Sequence, residues 1–229
     1  MNPPRALVVG LLSGALVSAC VPEGKRAPQQ TDKEPAAPIF TDDFERKSLG
    51  ADYFATTDVW KIDGGRVCAT NAQNHPLWLK RKIPVNARVE VDAVALSPEG
   101  DLKIEVWGDG KSFAEGTSYS DATSYLFIFG GWKNTLHVLA RLDEHDGERL
   151  EIPIVAGSED EHAQPVQPGQ TYHFTVERRN SSTVSFSVNG ARYFEYADEQ
   201  PLSGIGHDHL AFNEWSAPVC FDNLTVTPL

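Results

Sequence analysis

Across most of residues 39–229, apolar side chains recur at every second position, and no stretch shows the three-to-four-residue spacing of an amphipathic helix. Such a chain folds by laying strands with one face on a core. Arg88 to Leu96 sets Val89, Val91, Ala93 and Ala95 against Arg88, Glu90 and Asp92. Leu102, Ile104 and Val106 alternate with Lys103 and Glu105 after a Pro98-Glu99-Gly100 turn, so the two segments are expected to pair as a hairpin. Further strands read at Tyr125–Phe129, Leu136–Leu142, Leu150–Val155, Tyr172–Val176, Val184–Val188, Leu210–Phe212 and Val219–Val226. Asn189-Gly190 is a type I′ hairpin signal leading into Ala191–Tyr196. Ten or more short strands in about 190 residues predict an all-β sandwich.

The first twenty residues obey different rules. Arg5 precedes the apolar run Ala6–Val17, which is shorter than the ~20 residues a membrane-spanning helix needs. The run ends in Val17-Ser18-Ala19-Cys20, which resembles the lipobox of bacterial lipoproteins. That resemblance implies a cleaved signal over 1–19 and acyl chains on Cys20, with the lipid bilayer as a partner. Val21 stands where enteric sorting rules place Asp in retained chains, which implies an outer-membrane address. Residues 20–38 are rich in Pro, Lys, Glu, Gln and Ala, and read as a lipidated, disordered linker ahead of one domain at 39–229.

Cleavage would remove Arg5 alone among the charged groups, moving the net charge from −12 to −13. A polyanion is repelled by such a chain, so nucleic acid is not an expected partner. With Cys20 lipidated, two cysteines remain in an oxidising compartment, and a Cys68–Cys220 disulfide is expected.

Phe40-Thr41-Asp42-Asp43-Phe44, Trp60-Lys61-Ile62-Asp63-Gly64-Gly65, Asn213-Glu214-Trp215 and Phe221-Asp222-Asn223-Leu224-Thr225-Val226 together resemble the concanavalin A-like lectin/glucanase jelly rolls. The resemblance implies that the first and last strands lie side by side. It also implies a structural calcium near Asp43 and Asp222, with no cofactor otherwise required.

Glucanases of that superfamily carry Glu-x-Asp-x-x-Glu on one strand. Glu90-Val91-Asp92 is followed by Ala95 where the third carboxylate belongs, which leaves Glu105 on the next strand as a catalytic candidate. His145, His207 and His209, with Arg141, form a second catalytic candidate set for acid–base or metal chemistry. For ligand binding, Trp107 has the parity of the polar face and Trp132 comes after two glycines at a loop, joined by Asn134, Arg141 and Asp143. Trp60 and Trp215 are expected in the core or at its edge. These features point to an envelope lipoprotein whose sandwich binds a glycan. The alternatives are a glycoside hydrolase or polysaccharide lyase of the same fold, and an envelope module that binds protein.

Overall fold

The computed structural model describes residues 36–229; the signal 1–19, Cys20 and most of the linker lie outside the described residues. Fifteen strands form two antiparallel sheets among the described residues. In the first, β13 (Ala191–Ala197), β12 (Thr183–Val188), β11 (Thr171–Arg179), β6 (Ala87–Ala95), β15 (Val219–Pro228), β4 (Arg66–Ala69) and β3 (Lys61–Asp63) lie in that order, and β1 (Phe40–Asp42) also pairs with β15. The second runs β10 (Leu150–Pro153), β9 (Leu136–Arg141), β8 (Tyr125–Gly130), β7 (Leu102–Gly108), β14 (His209–Asn213), β5 (Leu77–Leu79), β2 (Tyr53–Ala55).

The alternating residues of both sheets meet as expected. Val89, Val91 and Ala93 of β6, with Phe174 of β11 and Phe221 of β15, face Ile104 of β7, Phe127 of β8 and Phe212 of β14 in one core. Phe212 stacks on Phe221 with ring centroids 4.6 Å apart, so the two sheets interdigitate at that pair. First and last strands are neighbours, with Phe40 opposite Val226 and Asp42 opposite Leu224. Cys68 lies opposite Cys220, and the two form a disulfide 152 residues apart in sequence. Closing so long a loop contributes roughly 5 kcal/mol in the chain-entropy account.

One expectation fails. β6 and β7 do not form a hairpin, because residues 96–101 carry the chain from one sheet to the other. β6 pairs instead with β11 and β15, and β7 with β8 and β14. Alternation specifies a face, not the partner strand.

Candidate functional site

The second sheet has a covered outer face. Residues 109–124, between β7 and β8, fold across it, and Ala114, Tyr119 and Ala122 pack on Leu126, Ile128, Val138 and Ala140. Trp78 Nε1 donates to the Ser112 carbonyl at 2.8 Å, and the Ala114 N–H donates to the Asn74 carbonyl at 3.0 Å. Lys103 and Glu105 of β7 are thereby sealed at 0% exposure. Lys103 Nζ donates to Asn74 Oδ1 at 2.5 Å and to Glu144 Oε2 at 3.0 Å. Glu105 accepts from the Tyr119 and Ser124 hydroxyls and from Asn213 Nδ2, at 3.1, 2.7 and 2.7 Å. Burial pushes its carboxyl up to about 7, against those donors and Lys103.

Beside this network a cleft of about 450 Å³ opens, lined by Asn74, Asp101, Trp132, Glu144, His145 and Trp215 among others. Its walls are turns locked to one another. Gly100 has φ +71°, and a Cβ there would come within 2.4 Å of the Gly130 carbonyl oxygen, so only glycine lets the two turns meet. The Asp101 N–H donates to that oxygen at 2.8 Å, and Asp101 Oδ2 accepts from the Trp215 N–H at 2.5 Å. Trp132 is held at φ 50° in a left-handed turn. The Arg149 guanidinium lies 4.3 Å from its ring centre, and the His145 ring meets it edge-on at 5.8 Å.

Burial dominates the electrostatics of this corner. It raises Asp101 and pushes Glu214 up to about 7. Glu214 is fully buried; Oε1 accepts from the Ala72 N–H, and Oε2 has no hydrogen-bond partner. Two partly exposed indole rings and the carboxyl groups of Asp101 and Glu144 line one cleft, which gives it surfaces for stacking and for hydrogen-bond acceptance.

The residues singled out from the sequence scatter relative to this cleft. Trp132 and His145 line it. Trp107 does not: the register of β7 against β14 slips between Leu210–Val106 and His209–Gly108, and the extra residue, Trp107, has φ 58°. That bulge turns its ring into the core, where it is 0% exposed, donates to the Pro84 carbonyl and stacks under Arg178 at 4.1 Å. Asn134 is spent on structure, donating to the Pro98 and Val166 carbonyls and accepting from the Val166 N–H. Arg141 binds Asp198 and the Gln200 carbonyl at the far end of β9, and Asp143 accepts from the His145 N–H.

The three histidines are not one cluster. His207 Nδ1 is 2.8 Å from the Thr123 carbonyl, and His209 sits beside Asp208 and beneath Gly110, at the opposite end of β14 from the cleft. Glu105 is buried and does not face Asp92, whose partners are His173 and Asn223 on the other sheet. Asp43 shares a shallow depression with Asp42 and Asn223, whereas Asp222, the residue before Asn223 in β15, is not among its lining residues; Asp43 and Asp222 each accept a backbone N–H, from Glu45 and Asn223. Among the described residues no three His, Cys, Asp or Glu side chains converge as a metal site.

Sequence reasoning missed Asn74, Asp101, Glu144, Glu214 and the role of Trp215. Trp215 is partly exposed and lines the cleft. The one available signal was the Asn213-Glu214-Trp215 run.

No family model matches the chain, and no curated protein does. Several solved structures match over nearly their whole length. One comes from work on endo-acting O-glycanases that prominent members of the human gut microbiota express to initiate mucin breakdown. It has a TM-score of 0.57 at 13% identity, covering 84% of this chain and 100% of that one. A Bacillus subtilis protein of unknown function with a galectin-like fold has a TM-score of 0.54 at 14% identity, covering 85% and 97%. The fold is a galectin-like jelly roll. The carbohydrate-binding module CBM66 from Bacillus subtilis shares this jelly roll with a TM-score of 0.54 at 12% identity, covering 79% and 98%. At these identities the likeness is one of fold.

Proposed function

We propose that this jelly roll binds a carbohydrate in the Trp132–Trp215 cleft, and that acyl chains on Cys20 hold it in a bacterial envelope, at the outer membrane. The observation that carries the binding reading is the pairing of two partly exposed tryptophans with Asn74, Asp101 and Glu144 in one cleft. Ring faces supply stacking, and the oxygens supply acceptors for sugar hydroxyls. Glycan-binding modules and glycan-active proteins of this fold support it as analogues. The lipobox supports the anchor.

A second reading, glycoside hydrolysis, is favoured by two carboxyl groups in one cleft. Burial raises Asp101 against the pull of Lys103, and Glu144 pairs with the same Lys103 ammonium at 3.0 Å. A polysaccharide panel assayed for binding and for new reducing or unsaturated ends separates the two. Binding without product, weakened about tenfold or more in Trp132→Ala, supports the binding module, whereas product formation supports the enzyme. Neither signal leaves the protein-interaction reading in front. For the anchor, Cys20→Ala is expected to move the protein from the membrane to the soluble fraction.

A further inference from the structure

The strand order assigns the sandwich two unlike ends. β15 begins just after the cleft residues Trp215 and Ala217 and finishes at Pro228, beside the entering chain: the Ile39 N–H donates to the Val226 carbonyl. Cleft and chain entry therefore lie at opposite ends of a ten-residue strand, about 30 Å apart.

The entry end carries apolar residues that the fold does not use. Ile205 is 98% exposed between Gly204 and Gly206, whose φ angles of +83° and +88° set it at the tip of a tight loop. Ile39, Val85 and Leu229 are exposed at 52%, 41% and 44%. Hydrogen bonds tie these segments together. The Leu229 N–H donates to the Asn86 carbonyl, the Ile83 N–H to the Asp208 carbonyl, and the Arg178 side chain to the carbonyls of Val85 and Leu202. The exposed run Lys80-Arg81-Lys82 leads into the same corner, with Arg81 over the Phe40 ring at 5.2 Å. Arg81 and Lys82 pair with Asp52 and Asp208. Acids gather at the cleft end, with Glu99, Asp101 and Glu144 in the cleft and Glu159, Asp160 and Glu161 on a neighbouring loop. Leu96, Phe113 and Val155 are exposed at that acidic end too, but no basic run accompanies them.

We propose that the entry end is a membrane-facing surface. Ile205, Val85, Ile39 and Leu229 meet an anionic phospholipid bilayer, flanked by Lys80-Arg81-Lys82, and the cleft points away from the lipid. The proposal rests on the lipidation reading of Cys20, which places a bilayer within the linker's reach. Apolar tips enter the interface, Lys80, outside the ion pairs that hold Arg81 and Lys82, favours its negative potential, and the acidic end of a chain of net charge −12 is repelled from it.

The test separates orientation from lipidation. The mature chain, whose remaining cysteines are joined as a disulfide, is coupled through Cys20 to a maleimide phospholipid. It is placed in vesicles of phosphatidylethanolamine and phosphatidylglycerol at about 3:1, and amide hydrogen exchange is compared with that of the uncoupled protein. Exchange over residues 203–206 and 80–85 is expected to slow about threefold or more, with 130–135 and 214–217 unchanged. Ile205→Asp should cancel the slowing. Protection at the cleft segments, or at neither end, overturns the proposal. Because the coupling is chemical, an unacylated Cys20 peptide from cells would refute the lipidation reading without touching this result.

Discussion

The outer faces of the two sheets are written in the same pattern and live in different media. On β6, Arg88, Glu90 and Asp92 alternate with core residues, and on β7 Lys103 and Glu105 do the same. The β6 charges keep partial access to water and make surface pairs, Arg88 with Glu177 at 2.7 Å and Asp92 with His173 at 2.8 Å. The β7 charges are fully buried under residues 109–124. Alternation reports which way a side chain points; a loop from elsewhere in the chain decides whether that direction is wet.

Removing one charge from each face should expose the difference most sharply. Lys103→Ala leaves Glu144, Asn74 and Asp101 facing a cavity without their cation, and is expected to lower unfolding stability by about 3–5 kcal/mol. Arg88→Ala breaks a half-exposed pair and should cost under about 1 kcal/mol. Urea unfolding of both variants measures the contrast. Equal losses would mean that the loop does not seal the β7 face.

The faces should also answer pH in opposite senses. Glu105 and Glu214, both raised to about 7 by burial, are protonated in folded and unfolded chains alike below about 4.5. Between there and 7 the unfolded chain releases its protons first, so stability falls as pH rises and levels off beyond. Asp42 and Glu177 act the other way. Although burial opposes it, hydrogen bonds from Arg46 and from Arg179 and Arg88 hold them below the ordinary carboxylate range. Their contribution is present at neutral pH and is lost as pH falls through the acid range. Thermal stability is therefore expected to peak near pH 5 and to decline toward pH 8. Glu214→Gln keeps the acceptor for the Ala72 N–H and removes one titrating group. It should recover about 1–2 kcal/mol at pH 8, roughly 3–6 °C in Tm, with little change at pH 5. An unchanged slope in the variant would assign the decline to Glu105.

The same contrast explains what could be read from the chain alone. Sandwich class, most strands, the adjacency of the first and last strands and the disulfide partners come from alternation, cysteine count and family likeness, and they stand. The hairpin between β6 and β7 and the platform at Trp107 do not. A sheet-changing connection and a one-residue bulge leave the period-two pattern intact while redirecting the strand or side chain beyond them. The cleft was the least legible part. Asp101, Glu144 and Trp215 come from three loops, and what joins them is long-range hydrogen bonding: the Asp101 N–H to the Gly130 carbonyl, the Trp215 N–H to the Asp101 carboxylate, and Glu144 through its N–H to the Tyr119 carbonyl and through its carboxylate to Lys103. Nothing in residue type at those positions announces such bonds.

A smaller effect than the Lys103 loss belongs to the solvated face. We propose a calcium ion at the depression that Asp43 and Asn223 line, with Asp222 the next residue along β15. Their side chains already hold backbone N–H groups and a neighbouring carboxylate, so a cation there gains few free carboxylate oxygens and would lean on backbone carbonyls. That argues for a millimolar site of the kind extracellular modules use. At tenfold excess over such a dissociation constant, calcium should add about 1.4 kcal/mol, roughly 3–5 °C in Tm. Asp43→Asn with Asp222→Asn should abolish the shift, and cleft binding should not respond to chelator. An unshifted Tm at that calcium level would remove the ion from this fold, and a chelator-sensitive cleft would move it to Asp101 and Glu144 instead.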